Sequence, residues 1–121
     1  MSCLLAGALT LTLAGPGFTL GWTHSVERVQ WRETWAIEGG LLRLVEAAVK
    51  GSGAGMEPGD GARSRNGWWV WQPTLPPLPE VTLAASGATA GGWRLCDAAG
   101  QCRDLGEAAG EPVTLRPCEA R

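Results

Sequence analysis

Two neighbouring runs of the sequence alternate in character with the period of two that half-buried β-strands require. The first run places four residues on one face, namely Phe18, Leu20, Trp22 and His24. The second run places five on one face, namely Val29, Trp31, Glu33, Trp35 and Ile37. With residues 25–28 as the loop, the runs form a hairpin in which His24 lies opposite Val29 and Leu20 lies opposite Glu33. A register shifted by two residues would instead bring His24 close to Glu33, and the sequence leaves both registers open.

The rest of the chain is also predicted to be β structure. Its 121 residues include 18 glycines and 8 prolines, which disfavour long helices and favour short strands joined by turns. Further strands are predicted at residues 9–13, 68–72, 81–85, 93–96, 102–105 and 113–116. The expected fold is all-β: one domain over residues 1–121, an antiparallel sandwich or flattened barrel of about eight short strands with at most one short helix.

Three segments between these strands have their own patterns. Residues 41–49 fit either a short helix or a strand buried on both faces, and their β surroundings favour the strand. Residues 51–67 are rich in glycine and are predicted to be a loop that closes with an Asn66-Gly67 hairpin turn. The prolines of residues 73–80 predict an extended connector.

Charge and hydropathy exclude two classes of function. The formal net charge is −2 and the basic residues are scattered, which argues against a nucleic-acid partner. Arg63 and Arg65 come nearest to a basic cluster and are expected to be solvated. The apolar start, residues 1–14, lacks a basic n-region and is shorter than the about 20 apolar residues that span a bilayer. Because it alternates in residues 9–13, it is predicted to be a strand, and no membrane span is expected.

Four cysteines allow three pairings if all are oxidised. Cys96 and Cys102 flank a predicted turn, whereas Cys3 and Cys118 lie near the two ends, so these two pairs are the preferred disulfides. Such disulfides would imply an extracytoplasmic compartment, and a periplasmic or membrane-associated location is expected. Four free thiols in a cytoplasmic protein are the alternative, and the spacing does not match that of paired zinc knuckles.

Glu33 is the exceptional residue of the hairpin, because its face is otherwise tryptophan and aliphatic. A carboxylate there must be paired, hydrogen-bonded or protonated. The favoured interpretation is structural, with a neighbouring donor satisfying the carboxyl. The functional alternative makes Glu33 and His24 the polar centre of a tryptophan-lined pocket. His24 also has a structural interpretation, as a neutral imidazole at the strand end, and the tryptophans of residues 68–71 are expected to fill the core rather than form an exposed surface.

The most specific features are short motifs spread over most of the chain. They are residues 18–27, 31–35, 53–56, 67–69 and 75–79, and the hairpin of residues 93–105. Together they resemble the bacterial domain-of-unknown-function family 1850, whose members are often encoded beside TAXI-class TRAP transporter components. The resemblance implies a link to solute uptake and no defined activity. It indicates seven candidate ligand- or partner-binding residues: His24, Ser25, Glu27, Glu33, Gly53, Gly55 and Met56.

Three kinds of function remain to be weighed. The favoured hypothesis is an accessory protein that binds TRAP transporter subunits, a solute-binding protein or a ligand through the His24–Glu33 face and residues 53–56. The alternative is a free-standing small-ligand or metal-binding module, but one histidine with scattered carboxylates makes a weak ligand set, and no metal or cofactor is expected. An enzyme is disfavoured, because His24 and Ser25 point to opposite faces of a strand and the chain has no Gly-x-Ser-x-Gly motif.

Overall fold

The computed structural model describes residues 1–23, 29–50, 61–84, 90–106 and 110–118. These ranges contain eleven strands and no helix. The strands are β1 (Ser2–Ala6), β2 (Leu9–Leu13), β3 (Gly17–Thr23), β4 (Gln30–Glu38), β5 (Leu41–Lys50), β6 (Arg63–Arg65), β7 (Trp68–Trp71), β8 (Val81–Leu83), β9 (Ala90–Asp97), β10 (Cys102–Leu105) and β11 (Val113–Pro117). The all-β prediction is confirmed, with more strands than the about eight expected.

The strands form two antiparallel sheets that pack as a sandwich and do not close into a barrel. The small sheet has the order β2-β1-β11-β8, and the large sheet has the order β10-β9-β3-β4-β5-β7-β6. The additional strands come from two places. The apolar start supplies both β1 and β2, which turn at Gly7 with a φ of 60°. Arg63–Arg65 form β6 inside the predicted loop of residues 51–67, so that prediction was wrong at these three positions, because their backbone pairs with β7.

The hairpin of β3 and β4 has the first of the two predicted registers. Leu20 lies opposite Glu33, and Trp22 lies opposite Trp31. The register shifted by two residues is therefore wrong. The predicted pairing of His24 with Val29 lies outside the described residues.

Residues 41–49 lie in β5, an interior strand of the large sheet, so the helical alternative is wrong. β5 lies between β4 and β7 and is buried on both faces. Ala48 and Val49 point to opposite faces and are 2% and 0% exposed. A strand that is covered on both faces is apolar throughout and lacks the alternation that identifies a strand. The sequence of residues 41–49 was therefore compatible with a helix as well.

Leucine fills the core between the sheets. Five leucines are almost completely buried, namely Leu4, Leu20, Leu42, Leu95 and Leu115. Trp35 also lies in the core and is 3% exposed, whereas the other six tryptophans are half-buried. The expectation that the tryptophans of residues 68–71 fill the core was therefore wrong.

The predicted turn and connector both occur. Asn66 and Gly67 have φ values of 53° and 85°, as a two-residue turn of type I′ requires. Residues 73–80 contain no strand, but Leu78 forms an isolated bridge with Leu42. Two backbone hydrogen bonds of 2.7 and 2.8 Å join these residues and hold the connector against β5.

Both preferred disulfides are present. Cys3 bonds to Cys118 and ties β1 to the residue after β11, whereas Cys96 bonds to Cys102 at directly opposite positions of β9 and β10. The alternative of four free thiols is therefore wrong, and the pairs are typical of an oxidising environment. No helix in the described ranges has the length and hydrophobicity to cross a membrane.

Candidate functional site

Glu33 is the one predicted site residue that the structure describes. The other six, His24, Ser25, Glu27, Gly53, Gly55 and Met56, lie outside the described residues. The strands that lead to them end on the same side of the large sheet. Thr23 ends β3 opposite Gln30, and Lys50 ends β5 one position beyond Val49, which lies opposite Trp31. Thr23 and Lys50, the last described residues before the two predicted segments, therefore lie at one end of the sheet.

The Glu33 carboxyl is half-buried between apolar neighbours. Leu20 on β3 and Ala47 on β5 lie directly opposite Glu33. The Trp35 indole Nε1 donates a hydrogen bond of 3.1 Å to Glu33 Oε1. Burial raises the pKa of Glu33, and this hydrogen bond offsets part of the increase. The donor predicted by the structural interpretation is thus present, but the ionised carboxylate remains less favourable here than in water.

Four tryptophans form a continuous row across the same face of the large sheet. We call Trp93, Trp22, Trp31 and Trp71 the tryptophan row. The ring centroids of Trp93 and Trp22 are 4.6 Å apart, and those of Trp22 and Trp31 are 6.1 Å apart in a stacked arrangement. Trp31 and Trp71 meet edge to face at 6.3 Å. These geometries are favourable for aromatic pairs and hold the four indoles as one unit.

The row crosses five strands because small residues lie between its larger members. Trp31 on β4 and Trp71 on β7 are separated by β5, so their backbones are two strand spacings apart, about 9 to 10 Å. Ala47 lies opposite Trp71 on β5, and Val49 lies opposite Trp31. Neither side chain is large enough to separate the two indoles. The pattern of large and small residues on β4, β5 and β7 therefore creates the contact.

The tryptophan row begins at the edge of the core and continues away from it. Trp93 packs against the leucine core, and its indole Nε1 donates a hydrogen bond of 2.9 Å to the carbonyl oxygen of Ala84, just after β8. Within the described residues, Trp22, Trp31 and Trp71 are not part of the core cluster. They are nevertheless half-buried. The row is thus a rigid aromatic surface beside the core rather than part of its interior.

Sequence reasoning identified Trp22, Trp31 and Glu33 but did not join Trp71 and Trp93 to them. Trp93 reaches the row because β9 pairs with β3, and Trp71 because β7 pairs with β5. Both pairings connect distant parts of the chain. The available signal was the occurrence of tryptophan in four separate predicted strands, which shows that the strands share a residue type but not that they are neighbours.

The chemistry of this surface is suited to binding. Its indoles offer flat apolar area, and Glu33 offers a half-buried carboxyl whose pKa is raised by burial. In the part of the chain that the structure describes, no group of three or more histidine, cysteine, aspartate or glutamate residues is placed to hold a metal ion. Glu33 and the row therefore define the candidate site.

Comparison with known proteins gives one finding. The family model described as a domain of unknown function, DUF1850, matches residues 18–105. No curated protein and no solved structure matches the chain. The matched range includes β3 to β10, and thus the whole tryptophan row and Glu33. The chain belongs to domain-of-unknown-function family 1850.

Proposed function

We propose that this protein is an accessory component of a TAXI-class TRAP solute transporter and binds a transporter subunit or the solute-binding protein through the tryptophan row. The observation that carries the proposal is the row itself, with four contacting indoles on one face of the large sheet. Tryptophan is enriched where protein interfaces concentrate their binding energy, because a rigid indole buries a large area with little loss of conformational freedom.

The choice of partner rests on the family resemblance. Members of the family are often encoded beside TAXI-class TRAP transporter components, and neighbouring genes of this kind frequently act together. The two disulfides agree with a protein that acts in an oxidising compartment, where an extracytoplasmic solute-binding protein also operates. These features favour a protein partner of the transporter over a partner elsewhere in the cell.

Glu33 supplies a polar element next to this aromatic surface. Its carboxyl is half-buried and its pKa is raised by desolvation. A basic side chain of the partner placed close to Glu33 would compensate the carboxylate and favour its ionised form. The predicted contributions of His24, Ser25 and Glu27, and of Gly53, Gly55 and Met56, belong to the same proposal, since β3 and β5, the strands that precede them in the chain, end on the same side of the large sheet.

The test is capture of the tagged protein from native membranes solubilised in mild detergent, followed by identification of the proteins that come with it. We expect transporter subunits or the solute-binding protein to be recovered. Trp71→Ala should reduce this recovery at least about tenfold, the usual effect of truncating a central interface tryptophan. Trp68→Ala is the matched control, because Trp68 lies on the same strand but on the opposite face.

The variants also separate the proposal from a simple loss of folding. Trp71→Ala and Trp68→Ala should both retain the melting transition of a folded protein. Recovery of transporter components that is equal in both variants would contradict docking through the row. Glu33→Ala and His24→Ala extend the test to the predicted polar residues and should each weaken recovery.

A further inference from the structure

The face of the large sheet opposite the tryptophan row carries a second arrangement that the proposed function does not use. Arg94, Gly21 and Arg32 lie side by side on β9, β3 and β4, with Gly21 in register with both arginines. They point away from the core, because Gly21 and Arg94 adjoin the core residues Leu20 and Leu95, and Arg32 lies directly opposite Gly21. Gly21 thus separates the two arginines. Because glycine has no side chain, the space above its backbone is open.

That space is part of a groove of about 490 Å³. Gly21 forms its floor, and Arg32 and Arg94 lie on either side, with Thr23 and Gln30 at the strand ends. A Cβ atom added at Gly21 would lie 3.8 Å from the carbonyl oxygen of Trp31, which is an ordinary contact. The backbone would therefore accept a larger residue at position 21. Glycine is not required by its conformation, and its effect is to leave the groove open.

Arg32 stacks on an aromatic ring and keeps hydrogen-bond donors for a ligand. Its guanidinium carbon lies 4.4 Å from the ring centroid of Trp68, which also lines the groove. A guanidinium that stacks on an aromatic ring uses its face for the ring and keeps its in-plane N–H groups available. Lys50 Nζ lies 5.9 Å from the same ring centroid and adds positive charge nearby.

Arg94 also retains donors for a ligand. Its Nε lies 3.8 Å from Asp104 Oδ1, beyond hydrogen-bond distance, and both side chains are largely exposed. An exposed ion pair at this separation contributes little and is easily rearranged. Arg94 can therefore turn from Asp104 toward a group above Gly21, which lies one strand spacing away, about 5 Å.

We propose that this groove binds a small carboxylate, with the carboxylate above Gly21 and between the guanidinium groups of Arg32 and Arg94. Two forked donors on either side of one open position match the paired oxygens of a carboxylate once Arg94 turns from Asp104. The local charge supports an anion: among the described residues, Arg32, Lys50 and Arg94 lie at or beside the groove with the carboxylate of Asp104, although the whole chain has a formal net charge of −2.

The test is titration of the purified, disulfide-bonded protein with acetate, malonate and glutarate, and separately with inorganic phosphate, followed by backbone amide chemical shifts. We expect saturable shifts in β3, β4 and β9 with at least one carboxylate. Saturable binding of phosphate without binding of any carboxylate would overturn the proposal, as would the absence of saturable shifts at millimolar ligand.

Three variants locate the binding. Arg94→Gln removes one guanidinium and should weaken carboxylate binding at least about tenfold, as expected for the loss of a charge-assisted hydrogen bond. Gly21→Val fills the groove and should abolish the shifts. Arg116→Gln is the control, because it removes the same charge from an exposed position on the small sheet. Equal binding by the Arg94 and Arg116 variants would overturn the proposal, even if the Gly21 variant failed to fold.

Trp22 and Trp31 of the tryptophan row also line the groove, so the variants that separate the two sites are placed at Trp71 and Trp68. Trp71→Ala should leave carboxylate binding unchanged, since Trp71 lies on the other face of β7. Trp68→Ala releases Arg32 from its stacked orientation and should weaken the carboxylate several-fold without reducing capture of the transporter partner. Carboxylate binding that depended on Trp71 and not on Trp68 would contradict the proposed position.

Discussion

Trp35 donates an indole hydrogen bond of 3.1 Å to Glu33, two residues earlier on the same face of β4. The bond joins a core residue to the candidate site, because Trp35 is 3% exposed and Glu33 lies between Trp35 and Trp31 along the strand. It gives the carboxyl a fixed position beside the tryptophan row. It does not remove the cost of desolvation, which keeps the pKa of Glu33 above its ordinary value.

Glu33→Gln is expected to stabilise the protein at neutral pH. The raised pKa means that the folded state binds the Glu33 proton more tightly than the unfolded state, so this residue lowers stability as pH rises from about 4.5 through the folded pKa. Glutamine keeps an oxygen for the Trp35 hydrogen bond and carries no charge. Urea unfolding should show a gain on the order of 1 kcal/mol at pH 7 and a smaller gain at pH 4. A gain that did not change with pH would contradict this assignment.

Asp97→Asn is expected to destabilise the protein. The buried Asp97 carboxylate accepts hydrogen bonds from the backbone amides of Ala14, Ala99 and Gln101 at 3.1, 3.0 and 3.0 Å. The hydrogen bond from Ala14 has the largest effect on the pKa of Asp97, and all three bonds lower it. Its stabilising contribution is therefore present above pH 3.8 and is lost as pH falls through the lowered folded pKa.

Thermal melts at pH 7 and pH 3 measure this contribution. The Asp97→Asn variant should melt at a lower temperature than the wild type at pH 7, and the difference should shrink at the lower pH. Asp104→Asn is the matched control, because Asp104 is exposed and forms only a long ion pair with Arg94. An equal effect of the two substitutions would contradict a special role for Asp97.

The two disulfides are expected to contribute unequally. Cys3 and Cys118 are 115 positions apart, whereas Cys96 and Cys102 are 6 positions apart. In the loop-entropy model the first disulfide contributes about 5 kcal/mol and the second about 2 kcal/mol, since a longer closed loop restricts the unfolded chain more. Denaturant unfolding of the paired serine variants measures both. A larger loss on removing the Cys96–Cys102 pair would contradict the expectation.

Leu115→Ala is expected to cost about 2 to 5 kcal/mol in the free energy of unfolding, because Leu115 is fully buried between the sheets. Leu9→Ala removes the same atoms from a side chain that is 43% exposed, and should change stability by less than about 0.5 kcal/mol. Unfolding in urea compares the two variants. Similar losses would mean that the leucine core is not the main stabilising element.

Much of the fold was predictable because most strands alternate in an antiparallel sandwich. The period of two placed Leu20, Glu33 and Trp35 on one face, and the Asn66-Gly67 dipeptide identified its turn. The disulfides were predictable because one pair flanks a turn and the other lies near the two chain ends. The strand and turn inferences depend on residues that are close in sequence, and the disulfide inference depends on choosing among only three possible pairings of four cysteines.

The remainder depends on which strands are neighbours. Nothing local to Trp93 or Trp71 indicates that β9 pairs with β3 and that β7 pairs with β5, and the tryptophan row exists only after those pairings form. The groove at Gly21 also depends on strand neighbours. Arg32 and Arg94 are 62 positions apart in the sequence and lie on either side of β3 only because β4 and β9 both pair with it. β6 was missed because a strand of three residues within a glycine-rich segment has too few positions to show alternation.

The most direct test of the central claim is site-specific photocrosslinking in the native host. Trp71 and, in a separate strain, Trp68 are replaced by p-benzoylphenylalanine, and crosslinked products are identified after irradiation. The two positions lie on one strand and face opposite sides of the large sheet. We predict crosslinks to a TRAP transporter subunit or solute-binding protein from position 71 and not from position 68. Crosslinks to these proteins from position 68 alone, or from neither position, would contradict docking through the tryptophan row.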